Sequence, residues 1–323
     1  MNKTLTTLAV LALTSAAAPA LAQSSVTLFG VLDVNARVVK NDDTQNRLDN
    51  SGLSSSRLGV RGTEDLGGGM KAHFWLEGAV APDTGEGGNW QRRSTIGLEG
   101  GFGEVRLGRE KNPNGLTVEQ LDPFADTGMG SVTRTLSQSI TRSSNQISYY
   151  TPGSEGFFFH GAVAAGEGSV GNKHTGARLG YRTKALTAMV SYGSTELTAT
   201  TDVDRLVVGG TYDFGGFRLF GQYIDSEAGT AEQANYLLGL TTKLAGLDLR
   251  ASYQKMDGGG SISNRSADHI SLGLSKPLSR RTTLYGTYSR ISNTNSSFTV
   301  ATGSPLSVGN NSTGYEVGVR HSF

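Results

Sequence analysis

The sequence predicts an all-β protein, a 16-stranded antiparallel transmembrane β-barrel with one long loop folded inward. Three observations predict this class. Polar and apolar residues alternate with a period of two along most of the chain, as in strands and unlike helices. The connections between the predicted strands alternate between short and long. The hydrophobic content of 36% is low for a soluble core of 323 residues, whereas a barrel needs only a thin apolar band towards lipid.

The first 22 residues predict export. Lys3 is followed by an apolar run from about Leu5 to Leu13 and by small residues ending in Ala20-Leu21-Ala22, which is the pattern of a secretory signal peptide with an A-x-A cleavage site. The apolar run is too short to span a bilayer. We therefore expect a single barrel domain over residues 23–323, held together without disulfides because the chain has no cysteine.

Charge and motif content argue against several classes of function. Removing Lys3 from the 29 Lys and Arg leaves 28 basic residues against 28 acidic ones, and this balance gives no indication of nucleic-acid binding. No Gly-x-Ser-x-Gly nucleophile motif occurs, and the glycine-rich runs lie in predicted hairpin turns. The histidines at 73, 160, 174, 269 and 321 have no metal-ligand spacing. We therefore expect neither an enzyme nor a metal or cofactor site.

Sixteen strands follow from the alternation. Between Val26 and Val38, apolar residues such as Leu28 share one face, while Asp33 and Arg37 lie on the other. An even number of strands places both termini at the same end, so that the last strand can pair with the first. The predicted strands lie near residues 26–38, 54–63, 71–78, 90–100, 103–110, 143–151, 156–166, 173–183, 185–194, 203–213, 215–225, 232–243, 246–256, 266–276, 282–291 and 313–323.

The connections predict which end of the barrel faces which compartment, because outer-membrane barrels have short periplasmic turns and long external loops. The short connections are 100–103, 151–156, 182–185, 214–216, 244–246 and 276–281. The longer, polar ones are 39–53, 81–89, 111–142, 167–172, 195–202, 226–231, 257–265 and 292–312.

The connection at about 111–142 is the longest stretch without alternation, and loops of this length in a compact fold are usually functional or disordered. It carries three carboxylates, and Arg134 and Arg142 lie near its far end. We expect it to fold into the barrel and to set the size and charge of a pore. The alternative is a mobile surface loop.

Five motifs and the last residue carry a resemblance to a known family. They are residues 25–33 (SVTLFGVLD), 56–72 (SRLGVRGTEDLGGGMKA), 92–98 (RRSTIGL), 101–109 (GFGEVRLGR) and 142–149 (RSSNQISY), together with Phe323. In order and spacing they resemble the general porins of Gram-negative outer membranes, most closely the β-proteobacterial type, over the whole mature chain. The resemblance implies a homotrimer, an inward-folded third external loop and passive diffusion of ions and small hydrophilic solutes.

The resemblance also implies partners. The surrounding partners would be outer-membrane lipid and lipopolysaccharide, and the barrel assembly machinery would read the C-terminal strand that ends at Phe323. No nucleic acid is expected. The implied location is the cell outer membrane of a Gram-negative bacterium.

Basic residues are expected to line one side of the pore. By resemblance, Arg57, Arg92 and Arg142 match a basic ladder on the wall that faces the inward loop, and we expect Arg109 at the end of the fifth strand to lie nearby. A charge on the lipid face near the bilayer midplane costs roughly 2–4 kcal/mol. Arg57 and Arg61, which alternate with apolar residues, must therefore face inward.

Acidic residues from the long loop are expected to line the opposite side: Glu119, Asp122 and Asp126. Facing charges across a narrow opening create a transverse field that sorts ions by sign. Basic residues on the strand walls favour a weak preference for anions. The alternative is that the arginines only coat a wet wall and pair with nearby carboxylates.

Arg92 raises a question of parity. Alternation with Ile96 and Leu98 puts Arg92 on the outward face and puts Arg93, with Thr95, on the inward face. The family motif favours Arg92, and a β-bulge would shift the phase of the strand. We therefore nominate Arg92 and keep Arg93 as the alternative.

The leading functional interpretation is a passive general porin. One alternative is a substrate-selective porin for organic anions or sugars, although a row of lumen aromatics that would favour sugars is limited to Phe29 and Trp75. Another is a non-conducting structural or adhesive barrel that binds partners through loop 39–53 or 292–312. An outer-membrane phospholipase or protease needs a catalytic set at one rim, and the sequence shows none.

Overall fold

The computed structural model describes residues 25–168, 170 and 173–323, and it confirms the predicted barrel. Within these residues, sixteen antiparallel strands pair in chain order, and the last strand pairs with the first. The predicted signal peptide, residues 1–22, lies outside the described residues.

The strands are β1 (Ser25–Lys40), β2 (two segments, Thr44–Asn50 and Arg57–Gly67), β3 (Met70–Ala81), β4 (Arg93–Gly100), β5 (Gly103–Lys111), β6 (Arg142–Tyr150), β7 (Gly156–Ala164), β8 (His174–Arg182), β9 (Leu186–Thr198), β10 (Thr201–Asp213), β11 (Phe217–Ala228), β12 (Ala231–Leu244), β13 (Leu247–Gly260), β14 (Ser266–Pro277), β15 (Thr282–Thr294) and β16 (Ser312–Ser322). Glu86–Gly87 adds a two-residue pairing to the end of β3. A helix, α1 (Pro113–Gln120), and a 3₁₀ turn (Val132–Arg134) lie between β5 and β6.

The strands extend further than the alternation of apolar residues predicts. The predicted loop at 39–53 contains Thr44–Asn50, which continues the pairing with β1. The predicted loop at 226–231 is a tight turn between β11, which ends at Ala228, and β12, which begins at Ala231. Sequence reasoning missed these ends because they are mostly polar and contain too few apolar residues, such as Leu48, to show the alternation.

The wall has one polar and one apolar face. Along β6, Gln146 and Ser148 are buried, whereas the intervening Ile147 and the following Tyr149 are exposed. The same alternation runs along the other strands, and it places apolar side chains on the outside and polar ones on the inside. None of the helices in the described part of the chain is long and apolar enough to cross a membrane.

The barrel closes through the two ends of the chain. β1 pairs with β16 from Val31 opposite Ser322 to Lys40 opposite Thr313. Beyond that ladder, the Gly30 and Phe323 backbones exchange hydrogen bonds of 3.0 and 3.1 Å. The Phe323 ring lies so close to Gly30 that any side chain at position 30 would clash with it.

Residues 112–141 pack against the inner face of the far wall. α1 begins at an N-cap, Asn112, whose side chain accepts a hydrogen bond of 2.8 Å from the Gly115 amide, and Pro113 occupies the first turn, where no donor is needed. An apolar cluster joins the segment to strands β10–β12. Its members are Val118, Val132 and Leu136 from the segment and Val207, Phe220, Ile224 and Leu237 from the wall.

Polar side chains of the same wall bind the carbonyls of this segment. Gln222 donates to Val118 at 3.2 Å, Gln233 to Thr135 at 2.6 Å and Gln254 to Gly130 at 2.8 Å. A buried irregular segment needs such partners because its backbone groups have no ladder of their own. The segment is thus anchored by apolar contacts and by hydrogen bonds spaced along its length.

Met129 forms a second anchor, near the middle of the segment. Its carbonyl lies 3.1 Å from His269 Nε2 and accepts a hydrogen bond of 2.9 Å from Ser289. Its side chain belongs to an apolar cluster that also contains Val39 and Val300. Val300 lies in the connection between β15 and β16, so two long connections meet inside the barrel.

The break in β2 is held by one carboxylate. Residues 51–56 leave the ladder, and Asp33 on β1 accepts hydrogen bonds from the amides of Gly52, Leu53 and Ser54 at 3.2, 2.9 and 2.7 Å. The carbonyl of Ser51 in turn accepts a hydrogen bond of 3.1 Å from Thr127. The break therefore supports the inward segment from the β1–β2 side.

Asp122 holds the turn that follows α1. Its carboxylate accepts hydrogen bonds from the amides of Phe124 at 2.8 Å and Val132 at 2.7 Å, which brings the two sides of this turn together. Burial raises the pKa of Asp122 to about 7, although the two amides and the Arg250 guanidinium oppose this change. Asp122 is thus a structural residue of the segment.

We expect Asp33→Ala to destabilise the barrel by about 2–3 kcal/mol, because one buried and two partly buried amides lose a charged acceptor. The measurement is guanidinium-induced unfolding in detergent, followed by tryptophan fluorescence. Asp43→Ala, at an exposed position in the β1–β2 turn, is the control. Equal unfolding midpoints for the two variants would contradict the role of Asp33.

A second prediction concerns the pH dependence of stability. Because the folded pKa of Asp122 is about 7 and its ordinary value is 3.8, the folded chain binds more protons than the unfolded chain between these pH values. The contribution of Asp122 to the free energy of unfolding therefore falls as pH rises from about 4 to 7. We expect Asp122→Asn to flatten this part of the stability profile, measured by thermal unfolding from pH 4 to pH 8. A profile unchanged by the substitution would show that Asp122 does not titrate in this range.

Candidate functional site

Three of the predicted arginines converge on the inner wall. Arg57 begins the second segment of β2, Arg92 immediately precedes β4, and Arg142 begins β6. The Nε atoms of Arg92 and Arg57 lie 2.6 and 3.8 Å from the same oxygen of Glu77 on β3. Arg142 Nε donates a hydrogen bond of 2.9 Å to the Arg92 carbonyl. The cluster of Arg57, Arg92, Arg142 and Glu77 is called the basic ladder below.

Two of the predicted acids are joined by a lysine. Lys111 Nζ is 2.8 Å from Glu119 Oε2 and 2.5 Å from Asp126 Oδ2. Burial alone would raise the pKa of Asp126, but Lys111, Arg142 and Arg92 outweigh it and hold the pKa below its usual value. We call Lys111, Glu119 and Asp126 the acidic side.

The acidic side lies beside the basic ladder, because Lys111 and Arg142 are paired in register on the neighbouring strands β5 and β6. In the described part of the chain, no ion pair within 4 Å joins Glu119 or Asp126 to Arg57, Arg92 or Arg142. Their charges nevertheless act on each other, since Arg142 and Arg92 lower the pKa of Asp126. Neighbouring groups of opposite charge that do not form an ion pair produce a field in the space between them.

Arg92 and Arg93 both contact inner-face residues. Arg93 is the first residue of β4 and pairs in register with Glu77, and its guanidinium lies 4.6 Å above the Trp75 ring. Arg92 precedes the strand and is therefore not bound by its alternation. We expected only one of these two arginines to point inward because we assumed that β4 includes Arg92, so that Arg92 and Arg93 would lie on opposite faces.

The position expected for Arg109 is corrected by the structure. The register pairs Arg109 with Ser94 and the neighbouring Leu107 with Ile96, and both of these apolar side chains are exposed on the outer face. Arg109 lies at an irregularity in the β5–β6 pairing, between Gly108 and Glu110, where Gly108 has a φ of 127°. Arg109 therefore lies away from the basic ladder, and it donates a hydrogen bond of 2.7 Å to the Gln91 carbonyl.

Two charged residues of the long loop do not join the site. The Asp122 carboxylate is used by the amides of its own turn. Arg134 is partly buried and donates to the Gly128 carbonyl at 2.8 Å. Burial lowers the pKa of Arg134 to about 10, so this side chain is still charged at neutral pH. Both residues shape the segment from within.

Sequence reasoning missed Glu77 and Lys111. The alternation on β3 places Glu77 on the inner face with Trp75, and this was a signal that an acid lies among the arginines. Lys111 pairs with Arg142 in register, a contact that the sequence does not reveal because thirty residues separate the two. Among the described residues, no three His, Asp or Glu side chains come together in a way that could hold a metal ion.

Comparisons with known proteins agree with this architecture. A family model described as Gram-negative porin matches residues 7–296. The chain is 36% identical to outer membrane porin protein 32 of Delftia acidovorans, with 100% of each protein covered. It is 27% identical to an outer membrane porin of Bordetella pertussis, over 90% of this chain and 94% of that protein.

Solved structures give the same result. The anion-selective porin from Comamonas acidovorans superposes with a TM-score of 0.86 and 35% identity, over 93% of this chain and 100% of that chain. The outer membrane protein OmpT of Vibrio cholerae superposes with a TM-score of 0.75 and covers 93% of this chain and 99% of its own, but at 16% identity it shows the fold alone. The matched residues, the closed barrel and its polar interior together show that the chain belongs to the Gram-negative porin family, and it is an outer-membrane channel for passive diffusion.

Proposed function

We propose that the inward segment, residues 112–141, forms the constriction of this channel and that the constriction weakly favours anions. The observation that carries the proposal is the basic ladder beside the lysine-bridged acids. A solute passing this level moves between charges of both signs, and those charges are held on a rigid wall and on an anchored loop.

A charge count supports the preference for anions. Arg57, Arg92, Arg142 and Lys111 supply four positive charges, whereas Glu77, Glu119 and Asp126 supply three negative ones. Lys111 also forms ion pairs with both acids of the loop, Glu119 and Asp126, and this weakens the attraction of these acids for cations. Arg320 on β16 adds positive potential at Arg57. The anion selectivity named for the Comamonas acidovorans porin is consistent with this excess.

The inner-face aromatics favour anions over sugars as solutes. Arg61 lies 5.3 Å from the Phe29 ring and 5.0 Å from the Trp75 ring, and Arg93 covers Trp75 as well. The rings are therefore covered by guanidinium groups and offer little bare surface for stacking against a sugar. A porin selective for organic anions is the second candidate function, because planar guanidinium groups bind carboxylates in a bidentate manner.

The proposal extends to partners that the family resemblance implies. The chain would form a homotrimer and would be surrounded by lipid and lipopolysaccharide. The barrel assembly machinery would recognise its C-terminal strand. What supports the last is that Phe323 ends the closing strand and keeps 43% of its surface exposed.

We expect the constriction charges to control selectivity. Arg92→Gln with Arg142→Gln removes two positive charges, and the reversal potential in a KCl gradient should move away from the chloride potential. One charge about 8 Å from an ion in water contributes about 0.5 kcal/mol, with opposite signs for chloride and potassium, so each substitution should change the chloride-to-potassium permeability ratio about fivefold. The measurement is planar-bilayer recording of single channels.

The opposite pair and a matched control sharpen the test. Glu119→Gln with Asp126→Asn should move the reversal potential towards the chloride potential. Arg109→Gln removes the same charge from the outer face and should leave the ratio unchanged. If Arg109→Gln changes selectivity as much as Arg92→Gln does, the constriction does not lie at the basic ladder. A folded barrel without conductance would overturn the channel itself.

A further inference from the structure

The outer face of strands β12–β16 contains an apolar groove with a volume of about 580 Å³. We call it the outer groove. Its sides are formed by large side chains: Leu240, Leu249, Leu272, Leu274, Tyr288 and Val317.

Two small residues create the outer groove. Ala251 is paired with Leu240 on one neighbouring strand and with Leu272 on the other. Gly286 is paired in the same way with Leu274 and Val317. Neighbouring strands lie about 4.8 Å apart, so each small residue leaves a slot between two long side chains.

The wall itself does not require glycine at position 286. A Cβ atom there would lie 3.4 Å from the Glu316 carbonyl oxygen and 3.7 Å from Val317 Cγ1, which are tolerable contacts. Gly286 is also not among the glycines with a positive φ. Neither packing nor backbone conformation explains its lack of a side chain, whereas an occupant of the slot does.

The outer groove leads towards a strongly basic turn. Leu274 lines the groove, and Lys276 follows on the same face two residues nearer the short-turn end, a step of about 7 Å. The turn continues through Leu278, which is 55% exposed, to Arg280 and Arg281. We call residues 276–281 the basic turn.

The basic turn has no acidic partner among the described residues. The acids of the two preceding short turns are already paired, Asp248 with Lys243 at 3.7 Å and Asp213 with Arg218 at 3.0 Å. The turn is also preorganised, because Ser279 Oγ accepts hydrogen bonds from the amides of Arg281 and Thr282 at 3.1 and 3.0 Å. Lys276, Arg280 and Arg281 therefore present three exposed, uncompensated positive charges.

We propose that one anionic phospholipid binds at this place, with an acyl chain in the outer groove and its phosphate at the basic turn. The ligand comes from the membrane leaflet at the short-turn end. An apolar slot that ends in three uncompensated cations matches a molecule with a long apolar chain and a negatively charged head. Lysine and arginine bind phosphate oxygens by charge-assisted hydrogen bonds. Leu278 would lie where the head group of the lipid joins its acyl chains.

The test measures lipid retention by the purified barrel in a neutral detergent. Native mass spectrometry compares dioleoyl phosphatidylglycerol with dioleoyl phosphatidylcholine, which has the same chains and no net charge. We expect one phosphatidylglycerol per barrel at concentrations where phosphatidylcholine is lost. Replacing Lys276, Arg280 and Arg281 by Gln together should weaken phosphatidylglycerol binding on the order of 100-fold.

Two further variants separate the head site from the chain site. Gly286→Leu fills the slot and should weaken binding of phosphatidylglycerol while leaving the basic turn intact. The matched control replaces Lys184, Arg218 and Lys243 by Gln, which removes three positive charges from other short turns and should leave binding unchanged. Heat-modifiable migration in electrophoresis confirms that every variant is folded.

Three results would overturn the proposal. Equal retention of the two lipids would show that the charge of the head does not matter. A loss of binding in the control variant as large as in the basic-turn variant would show a general charge effect. Normal lipid retention by Gly286→Leu together with an altered subunit assembly would show that a second copy of the chain covers the outer groove.

Discussion

The structure depends on one constraint: backbone groups inside a lipid layer must be paired within the protein. The ladder between β1 and β16 meets this constraint at the closure, and the Gly30–Phe323 pair extends it to the last residue. Once the wall is closed, the interior can be polar. Every second side chain of a strand then points inward and can bind the inward segment. Gln222, Gln233 and Gln254 are such side chains.

The same constraint explains why the inward segment has two kinds of anchor. Apolar contacts of Val118 and Val132 remove surface from water, but they do not satisfy the carbonyls of an irregular backbone. The side-chain amides do so and fix the segment along its length. Glu119 and Asp126 pair with Lys111 beside the basic ladder, whereas the Asp122 carboxylate is bound by amides of the segment itself.

The sequence predicts the fold almost completely, because a barrel wall repeats the same two-residue pattern sixteen times. It predicts the site only where a residue obeys that pattern. Arg57 follows the alternation, and its Nε atom lies 3.8 Å from Glu77 on the inner wall. Arg109 does not, because the irregularity beside Gly108 is set by pairing with β6. The place of Asp122 depends on tertiary hydrogen bonds to Phe124 and Val132, and no local pattern encodes them.

The position of Met129 has a consequence for the order of assembly. Its carbonyl is bound by residues 140 and 160 positions later in the chain, and its side chain touches residues of the first strand and of the last connection. These partners come together only when both ends of the chain have met, and ordering so long a stretch carries a large entropy cost before any contact forms. The inward segment therefore reaches its final position among the last features of the fold. Closure of the barrel is thus also the step that completes the binding of the inward segment.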